Sequence, residues 1–166
     1  AAKEERSTLV ERAVQTETQH MQLSQGKLVM GFRTSLADDP KALDSLRVMI
    51  ALFGGTPFSR LFANVREKMS LCYYCAARMD RYKRIMIVES GVEHSNMEKA
   101  KAAILEQLEI VKRGEFEEEE LQNTLLSLDN AFQSVSDSLH ALEDWYLSQI
   151  YTGEYMSPLE TMERIH

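Results

Sequence analysis

Hydrophobic residues alternate with polar ones in three short segments and recur at helical spacing over most of the remaining chain. The strand pattern covers residues 27–34, 71–79 and 84–92, and the polar turn 80–83 joins the last two segments. After residue 96, apolar residues recur every three or four positions, which is typical of amphipathic helices. This order predicts an α+β fold: a two-layer sandwich of a mainly antiparallel sheet with helices packed on one face.

Proline and glycine residues mark where the first helices begin and end. Pro40 follows Asp39 and Pro57 follows Thr56, so each proline comes after a residue that can cap a helix. Gly54-Gly55 ends the first of these helices. The second helix is predicted to bury a stripe formed by Leu61, Phe62, Val65 and Met69.

The later helices have start signals of their own. Residues 95–98 match a capping box, residues 136–138 separate two helices, and Ser157-Pro158 begins a last helix. Between the last two signals, apolar residues at spacings of three and four predict another helix that runs to Gly153; they are Leu139, Leu142, Tyr146 and Ile150.

The length of 166 residues suits one domain of ordinary size. Residues 1–24 are interpreted as a linker remnant or leading segment, and residues 25–166 as a single α+β domain. The helical pattern at the end of the chain is incomplete. The sequence is therefore expected to be a piece of a longer protein, truncated within its last helix.

The net charge and the hydropathy of the chain limit the classes of partner that it is expected to bind. The net charge is −7, and it is uneven: residues 1–92 hold 14 basic and 10 acidic residues, against 5 and 16 in residues 93–166. Such a balance argues against nucleic acid as a main partner. No apolar run reaches the roughly 20 residues that span a bilayer, so no membrane association is expected. With no signal peptide recognised, the expected location is cytoplasmic.

The two cysteines, Cys72 and Cys75, form a C-x-x-C pattern that can indicate redox or zinc chemistry. Redox pairs of this kind usually open a helix, but here both residues lie in a predicted strand. Residues three apart in a strand point to opposite faces, and no second cysteine pair completes a zinc site. We interpret both as small buried residues in a reducing compartment.

The histidines offer no metal site by spacing. His20, His94, His140 and His166 are not paired with one another at helical spacing. His140 begins a sequence like the metal-binding H-x-x-E-H pattern, but Asp144 stands where the second histidine is needed. No metal ligands are therefore expected, and local chemistry alone provides no complete active site.

Arg66 and Tyr73 remain as candidates because they lie on either side of a tight junction between a helix and a strand. Arg66 can simply complement the negative end of its helix, and Tyr73 can be an ordinary core aromatic residue. Alternatively, the junction brings the guanidinium and the phenol to one rim. There they could hold a peptide carbonyl or a developing oxyanion.

These residues belong to motifs that resemble the C-terminal half of the M16 zinc metallopeptidases, which include the pitrilysin, insulinase and mitochondrial processing peptidase types. The resemblance covers about residues 25 to 165. The motifs that carry it are, in chain order, Gly54-Gly55-Thr56-Pro57-Phe58-Ser59-Arg60-Leu61-Phe62, Val65-Arg66-Glu67-Lys68, Leu71-Cys72-Tyr73-Tyr74, Gly91-Val92-Glu93, the helix 97–111, Glu118-Glu119-Glu120-Leu121 and Ser136-Asp137-Ser138.

The resemblance implies that this chain is the zinc-free domain of an M16-type peptidase. In the family an Arg and a Tyr seven residues apart complete the active site, and Arg66 and Tyr73 match that spacing. Both are thus expected to bind substrate and act in catalysis: Tyr73 stabilises the transition state and Arg66 orients the peptide. The zinc belongs to the other homologous half, so this chain alone is expected to bind none and to be inactive.

The implied partners are a peptide substrate and a zinc-bearing M16 domain or subunit, in a homo- or heterodimer. The alternative is a non-catalytic scaffold or assembly subunit that keeps the M16 fold without peptidase activity. Two features depart from the family pattern. Ser70 stands where a glycine is common, and strict alternation places Tyr73 on the apolar face of its strand, with Cys75 and Ala77.

Overall fold

The computed structural model describes residues 12–34, 40–80, 83–150, 153 and 155–166. In these residues, three antiparallel strands form one sheet, with β3 (Ile85–Val92) between β1 (Gly26–Arg33) and β2 (Cys72–Asp80). The three strand segments expected from alternation are confirmed. The predicted cap Asp39 and part of the turn 80–83 lie outside the described residues.

Helices form the second layer. In chain order they are α1 (Pro40–Ile50), its π-helical continuation (Ala51–Gly55), the π-helix Leu61–Lys68, α2 (Met97–Lys112), α3 (Glu118–Ser136), α4 (Leu139–Ile150) and α5 (Pro158–Ile165). The π-helix Leu61–Lys68 leads into β2 and is called the junction helix below. The architecture is the predicted α+β sandwich with its helices on one face of the sheet.

The core lies between the inner face of the sheet and these helices. Val88 of the central strand is paired with Met30 on one side and with Ala77 on the other, so apolar residues line up across all three strands. Phe53, Leu61, Val65 and Ile104 fill the space against this face and are fully buried. Each such side chain contributes about 1.5–3 kcal/mol through burial.

Gly54 explains why the π-helical continuation of α1 can approach β2 so closely. A Cβ at this position would lie 2.7 Å from both the backbone nitrogen and the Cβ of Ala77. It would also lie 2.7 Å from Leu61 of the junction helix. Only glycine therefore fits at this contact between helix and strand.

Three details of the first and middle helices differ from the prediction. The second helix begins at Leu61 rather than at Pro57, because residues 56–59 form a turn in which the Thr56 hydroxyl bonds to none of the described residues. Met69 is exposed rather than part of the buried stripe, because the junction helix ends at Lys68 and the chain turns away. The capping box expected at residues 95–98 is wrong: a 3₁₀ turn (His94–Asn96) precedes α2, and Asn96 makes no capping bond with its side chain.

α4 is present where the spacing predicts a helix, but most of the apolar residues that mark it face outward. Leu139, Tyr146 and Ile150 are exposed, whereas Gln149 is buried. The amide of Gln149 donates to the carbonyl of Met156 at 2.8 Å and accepts from its N–H at 2.7 Å. α4 therefore turns a polar residue inward, where it satisfies the backbone of the segment leading to α5.

Candidate functional site

The junction between helix and strand is short and is held by backbone geometry. Leu61 and Val65 anchor the junction helix in the core, and the N–H of Leu71 donates to the carbonyl of Val65 at 3.1 Å. Between them Ser70 has φ of +50°, in the left-handed region that glycine prefers. The tight turn is therefore made although this chain has serine where the family pattern has glycine.

A bulge in β2 determines where Tyr73 points. Cys72 is paired with Val92 and Tyr74 with Gly91, so Tyr73 is an extra residue without a partner of its own on β3. The expectation from strict alternation is wrong for this reason: Tyr73 does not share the buried face of Cys75, and its exposed fraction is 47%. Tyr73 and Tyr74 are consecutive exposed residues.

Arg66 and Tyr73 line one cleft of about 390 Å³. The other residues lining it are Glu67, Ser70, Leu71, Cys72, Glu93 and Asn96. The guanidinium of Arg66 lies over the Phe62 ring, 4.7 Å from its centroid, and its Nε is 3.6 Å from a carboxylate oxygen of Glu67. The aromatic ring thus supports the guanidinium at the rim, where it is still partly exposed.

Arg66 also borders a second groove, of about 330 Å³. This groove runs beside β2 and is lined by Gly55, Phe62 and Tyr74, among other residues. Tyr74 does not line the first cleft, and its ring lies over Gly91, where an added Cβ would be 2.5 Å from a ring carbon. The two adjacent tyrosines therefore face different surfaces.

Glu93 controls the hydroxyl of Tyr73. This hydroxyl donates a hydrogen bond to a carboxylate oxygen of Glu93 at 2.8 Å. The bond to Glu93 raises the pKa of Tyr73 above its ordinary value, because ionising the phenol would remove the donated proton beside a negative charge. Tyr73 is therefore kept protonated, as a phenol that is to donate to a carbonyl oxygen or oxyanion must be.

Cys72 and Cys75 are brought together rather than separated. The bulge lies between them, so both side chains lie on the core side of β2: Cys75 is part of the hydrophobic core and Cys72 packs against it. Cys75 is buried, as expected, whereas Cys72 is only partly buried and lines the cleft. The neighbouring Cys75 thiol, with smaller effects from Ser90 and Arg66, lowers the pKa of Cys72 to about 7. The proximity of Cys72 and burial raise the pKa of Cys75.

A polar network fixes the start of the junction helix. Nη1 of Arg60 donates to both carboxylate oxygens of Glu120, at 2.8 and 2.7 Å, and its Nε donates to Gln107 at 3.1 Å. Asn64 donates to the same oxygen of Gln107 at 3.1 Å. Because Gln107 lies on α2 and Glu120 on α3, the network joins three helices and fixes the element that carries Arg66.

The sequence analysis proposed Arg66 and Tyr73 as site residues but assigned no role to Glu93 or Arg60. Both lie in segments of the family resemblance, yet their contacts join residues 20 and 60 positions apart in the chain. Glu93 immediately follows Val92, whose pairing with Cys72 brings it near the bulge. Only the pairing of β2 with β3 reveals this placement.

The part of the chain that the structure describes has no metal centre and no membrane span. In it, no group of three or more histidine, cysteine or acidic side chains could hold a metal ion. His140 is 3.7 Å from Asp144 on the exposed surface of α4. None of the described helices is both long enough and apolar enough to cross a bilayer.

Comparison with known families and proteins yields consistent matches. Residues 4–128 match a family model described as the peptidase M16 inactive domain. A Bacillus subtilis (strain 168) protein named "Probable inactive metalloprotease YmfF" is 38% identical over 138 residues, which are 83% of this chain and 32% of that protein. A Rickettsia bellii (strain RML369-C) protein named "Uncharacterized zinc protease" is 23% identical over 146 residues. These residues are 86% of this chain and 35% of that protein.

Solved structures give the same result. The crystal structure of a conserved protein from Enterococcus faecalis V583 has a TM-score of 0.76 to this chain at 32% identity. The match covers 86% of this chain and 34% of that one. The chain thus spans about a third of the length of these relatives.

Proposed function

This chain belongs to the M16 peptidase family, whose inactive domain it matches, and on that premise we propose that it supplies a peptide-binding cleft to a zinc-bearing domain or partner subunit. Arg66 orients the peptide and Tyr73 donates to the carbonyl oxygen that is being attacked. The observation that carries the proposal is the cleft that these two residues line together. A guanidinium and a protonated phenol are both hydrogen-bond donors, which is what a peptide carbonyl requires.

Substrate binding would exchange one hydrogen bond of Tyr73 for another. The hydroxyl has a single proton, which it donates to Glu93 when no peptide is bound. A peptide carbonyl that enters the cleft takes the place of the Glu93 carboxylate as acceptor. As the oxygen gains negative charge in the transition state, this bond strengthens, so Tyr73 contributes mainly to kcat.

Arg66 has the complementary role of holding the peptide chain. Its guanidinium is supported from one side by the Phe62 ring and lies close to Glu67, so its orientation is restricted before peptide arrives. Such preorganisation lowers the entropy lost on binding. Arg66 therefore contributes mainly to KM.

The described residues do not fit a zinc ion, because no three potential ligands come together in them. We therefore derive no catalytic step through a metal from this chain. A relative of this chain is named a zinc protease, and we propose that zinc in the complete assembly is held by another M16 domain or subunit.

The test is peptide hydrolysis by the assembly that contains the zinc-bearing domain. Tyr73→Phe removes one donor and is expected to lower kcat by roughly 10²–10³-fold. The matched control is Tyr74→Phe, which removes the hydroxyl of the next exposed tyrosine, outside the cleft, and is expected to leave kcat within about twofold. If both variants turn over peptide as fast as the parent and fold normally, Tyr73 has no catalytic role.

The role of Arg66 is tested by measuring the changes in KM and in kcat separately. Arg66→Gln is expected to raise KM by about tenfold or more with a smaller change in kcat, because binding to the peptide chain is lost in both ground and transition states. Arg78→Gln, a substitution at an exposed arginine of β2 outside the cleft, provides the control.

A second candidate function is a scaffold without peptidase activity. It is favoured by the relative that is 38% identical and is named an inactive metalloprotease. On this alternative the parent assembly cleaves no peptide and Tyr73→Phe changes nothing except local hydrogen bonding. Zinc analysis of the purified assembly separates the two: a scaffold is expected to contain no stoichiometric zinc, whereas the peptidase is expected to contain one zinc per active site.

A further inference from the structure

Glu93 presents its carboxylate to the same cleft as Arg66 and Tyr73. Its backbone is fixed, because it directly follows β3 in an extended conformation (φ −67°, ψ 144°) and its carbonyl accepts a hydrogen bond from the N–H of Asn96 at 2.9 Å. Its side chain is exposed, and among the described residues it bonds to Tyr73 alone, at 2.8 Å. The carboxylate is therefore a hydrogen-bond acceptor on a fixed backbone that a ligand in the cleft can reach.

The two carboxylates that line the cleft have different surroundings. Glu67 lies 3.6 Å from Nε of Arg66, so the guanidinium already compensates its charge. Glu93 has only the neutral phenol of Tyr73 as a partner in the part of the chain that the structure describes. Since a carboxylate has room for about four hydrogen bonds, one phenol leaves most of this capacity unused. Glu93 is therefore the carboxylate with acceptor capacity for a ligand.

The proposed exchange of partners at Tyr73 deprives Glu93 of its donor. When a peptide carbonyl takes the phenol proton, the carboxylate loses a charge-assisted hydrogen bond, and peptide binding is weakened unless another donor replaces it. An extended peptide brings such a donor, because the N–H and the C=O of one residue point to the same side of the chain. The Tyr73 hydroxyl and the Glu93 carboxylate lie side by side as one donor and one acceptor, which is the complement of that pair.

We propose that Glu93 is a second substrate-binding residue of the cleft: its carboxylate accepts the N–H of the same peptide residue whose carbonyl accepts from Tyr73. This role rests on the proposed function, because it requires a peptide in the cleft. The substrate class is then peptides that are extended at the scissile bond and have an N–H on the residue before it. Proline has no N–H and is disfavoured there. Both contacts go to the main chain, so they place no demand on the side chain of that residue.

The test combines a change in the peptide with a change in the protein, in the assembly that contains the zinc-bearing domain. An N-methyl group on the residue that carries the attacked carbonyl removes its N–H. In the parent, N-methylation is expected to lower kcat/KM by at least about tenfold. In Glu93→Ala the acceptor is gone, so N-methylation is expected to lower kcat/KM by a factor at least about fivefold smaller. Comparing the two factors cancels whatever the N-methyl group disturbs elsewhere.

The matched control is Glu67→Ala, which removes the other carboxylate of the cleft. Its own kcat/KM can change, but the factor lost on N-methylation is expected to stay within about twofold of the factor in the parent. Glu93→Gln keeps an oxygen acceptor without the charge and is expected to retain part of the methylation effect. A variant that merely disturbed the local fold would not show this graded dependence on the peptide N–H.

A second readout needs no turnover. In the metal-chelated assembly, N-methylation is expected to raise the peptide Kd by roughly tenfold for the parent and by less than about threefold for Glu93→Ala. Equal methylation effects in the parent and in Glu93→Ala would overturn the role of Glu93, as would an effect that Glu67→Ala abolishes as well. If Tyr73→Phe still lowers kcat in that case, the proposed function stands without Glu93. An assembly that neither binds nor cleaves peptide would overturn both.

Discussion

The ion pair between Arg60 and Glu120 is expected to be a main support of the junction helix. The perturbation is a double-mutant cycle made of Arg60→Ala, Glu120→Ala and both changes together. The exposed fractions of the two side chains are 13% and 30%, and Nη1 of Arg60 contacts both carboxylate oxygens of Glu120, at 2.8 and 2.7 Å. The pair is therefore neither fully buried nor a surface pair.

The free energy that the Arg60–Glu120 pair contributes is estimated from its intermediate burial. Hydrogen bonds to charged groups contribute about 1.5–3 kcal/mol each, and exposed ion pairs about 0–1 kcal/mol. Arg60→Ala also removes the bond to Gln107, which is buried and retains only its bond from Asn64. We expect Arg60→Ala to lower the free energy of unfolding by about 2–3 kcal/mol. The coupling energy of the pair is expected to be about 1–2 kcal/mol.

The assay is urea unfolding followed by circular dichroism, with the free energy taken from linear extrapolation. The cycle is needed because Glu120 also accepts a hydrogen bond from the N–H of Glu117 at the start of α3. That capping contribution is lost in Glu120→Ala and in the double variant alike, so it cancels from the coupling energy.

The chain offers a control pair in Lys112 and Glu109, which are 2.6 Å apart on the exposed surface of α2. The same cycle there is expected to give a coupling energy of at most about 0.5 kcal/mol. If the Arg60–Glu120 coupling energy is no larger than that of the control pair, the network does not hold the junction helix. The reasoning from burial is then refuted.

Three further predictions concern the backbone and the phenol of the site. Ser70→Gly is expected to raise the free energy of unfolding by about 0.5–1 kcal/mol, measured in urea. Glycine adopts the left-handed backbone of this residue without strain, and the greater entropy of glycine in the unfolded chain offsets part of that gain. A lower free energy of unfolding would contradict this prediction. Gly54→Ala is expected to destabilise by roughly 2–3 kcal/mol through overlap with the β2 backbone. In the control Gly31→Ala the new Cβ has no atom within 4 Å, so the free energy of unfolding should change little. If the two glycine substitutions lower it equally, the close contact at Gly54 is not the cause. Glu93→Gln is expected to lower the Tyr73 pKa toward its ordinary value of about 10 in a ¹³C NMR titration, and an unchanged pKa would rule out Glu93 as the cause.

Local periodicity was sufficient to predict the layers of the fold. Alternation located β1, β2 and β3, and spacings of three and four located the helices, because each element buries one face against the same core. Proline signals were correct at Pro40, where α1 begins, and at Pro158, which begins α5 and follows the cap Ser157. At Pro57 the signal was wrong, because a turn at residues 56–59 precedes the junction helix.

What local pattern could not predict depends on pairing between distant segments. The faces of Cys72 and Tyr73 follow from a bulge, and a bulge exists only in relation to the partner strand β3. Alternation alone therefore separated Cys72 from Cys75 and turned Tyr73 inward. The contact of Arg60 with Glu120 is likewise invisible to helical periodicity, since it joins two helices 60 residues apart.

The central claim is that a peptide lies in the cleft beside Arg66 and Tyr73, and crosslinking tests it most directly. In one variant a photoreactive amino acid replaces Glu67, which lines the cleft, and in the control variant it replaces Arg78 of β2, which does not. The two native side chains have similar exposed fractions, 57% for Glu67 and 59% for Arg78. Arg78 lies six residues beyond Cys72 along β2, about 20 Å away. In the metal-chelated assembly, the account predicts peptide capture from position 67 and little from position 78. Equal capture at both positions, or none at position 67 with bound peptide present, would contradict it.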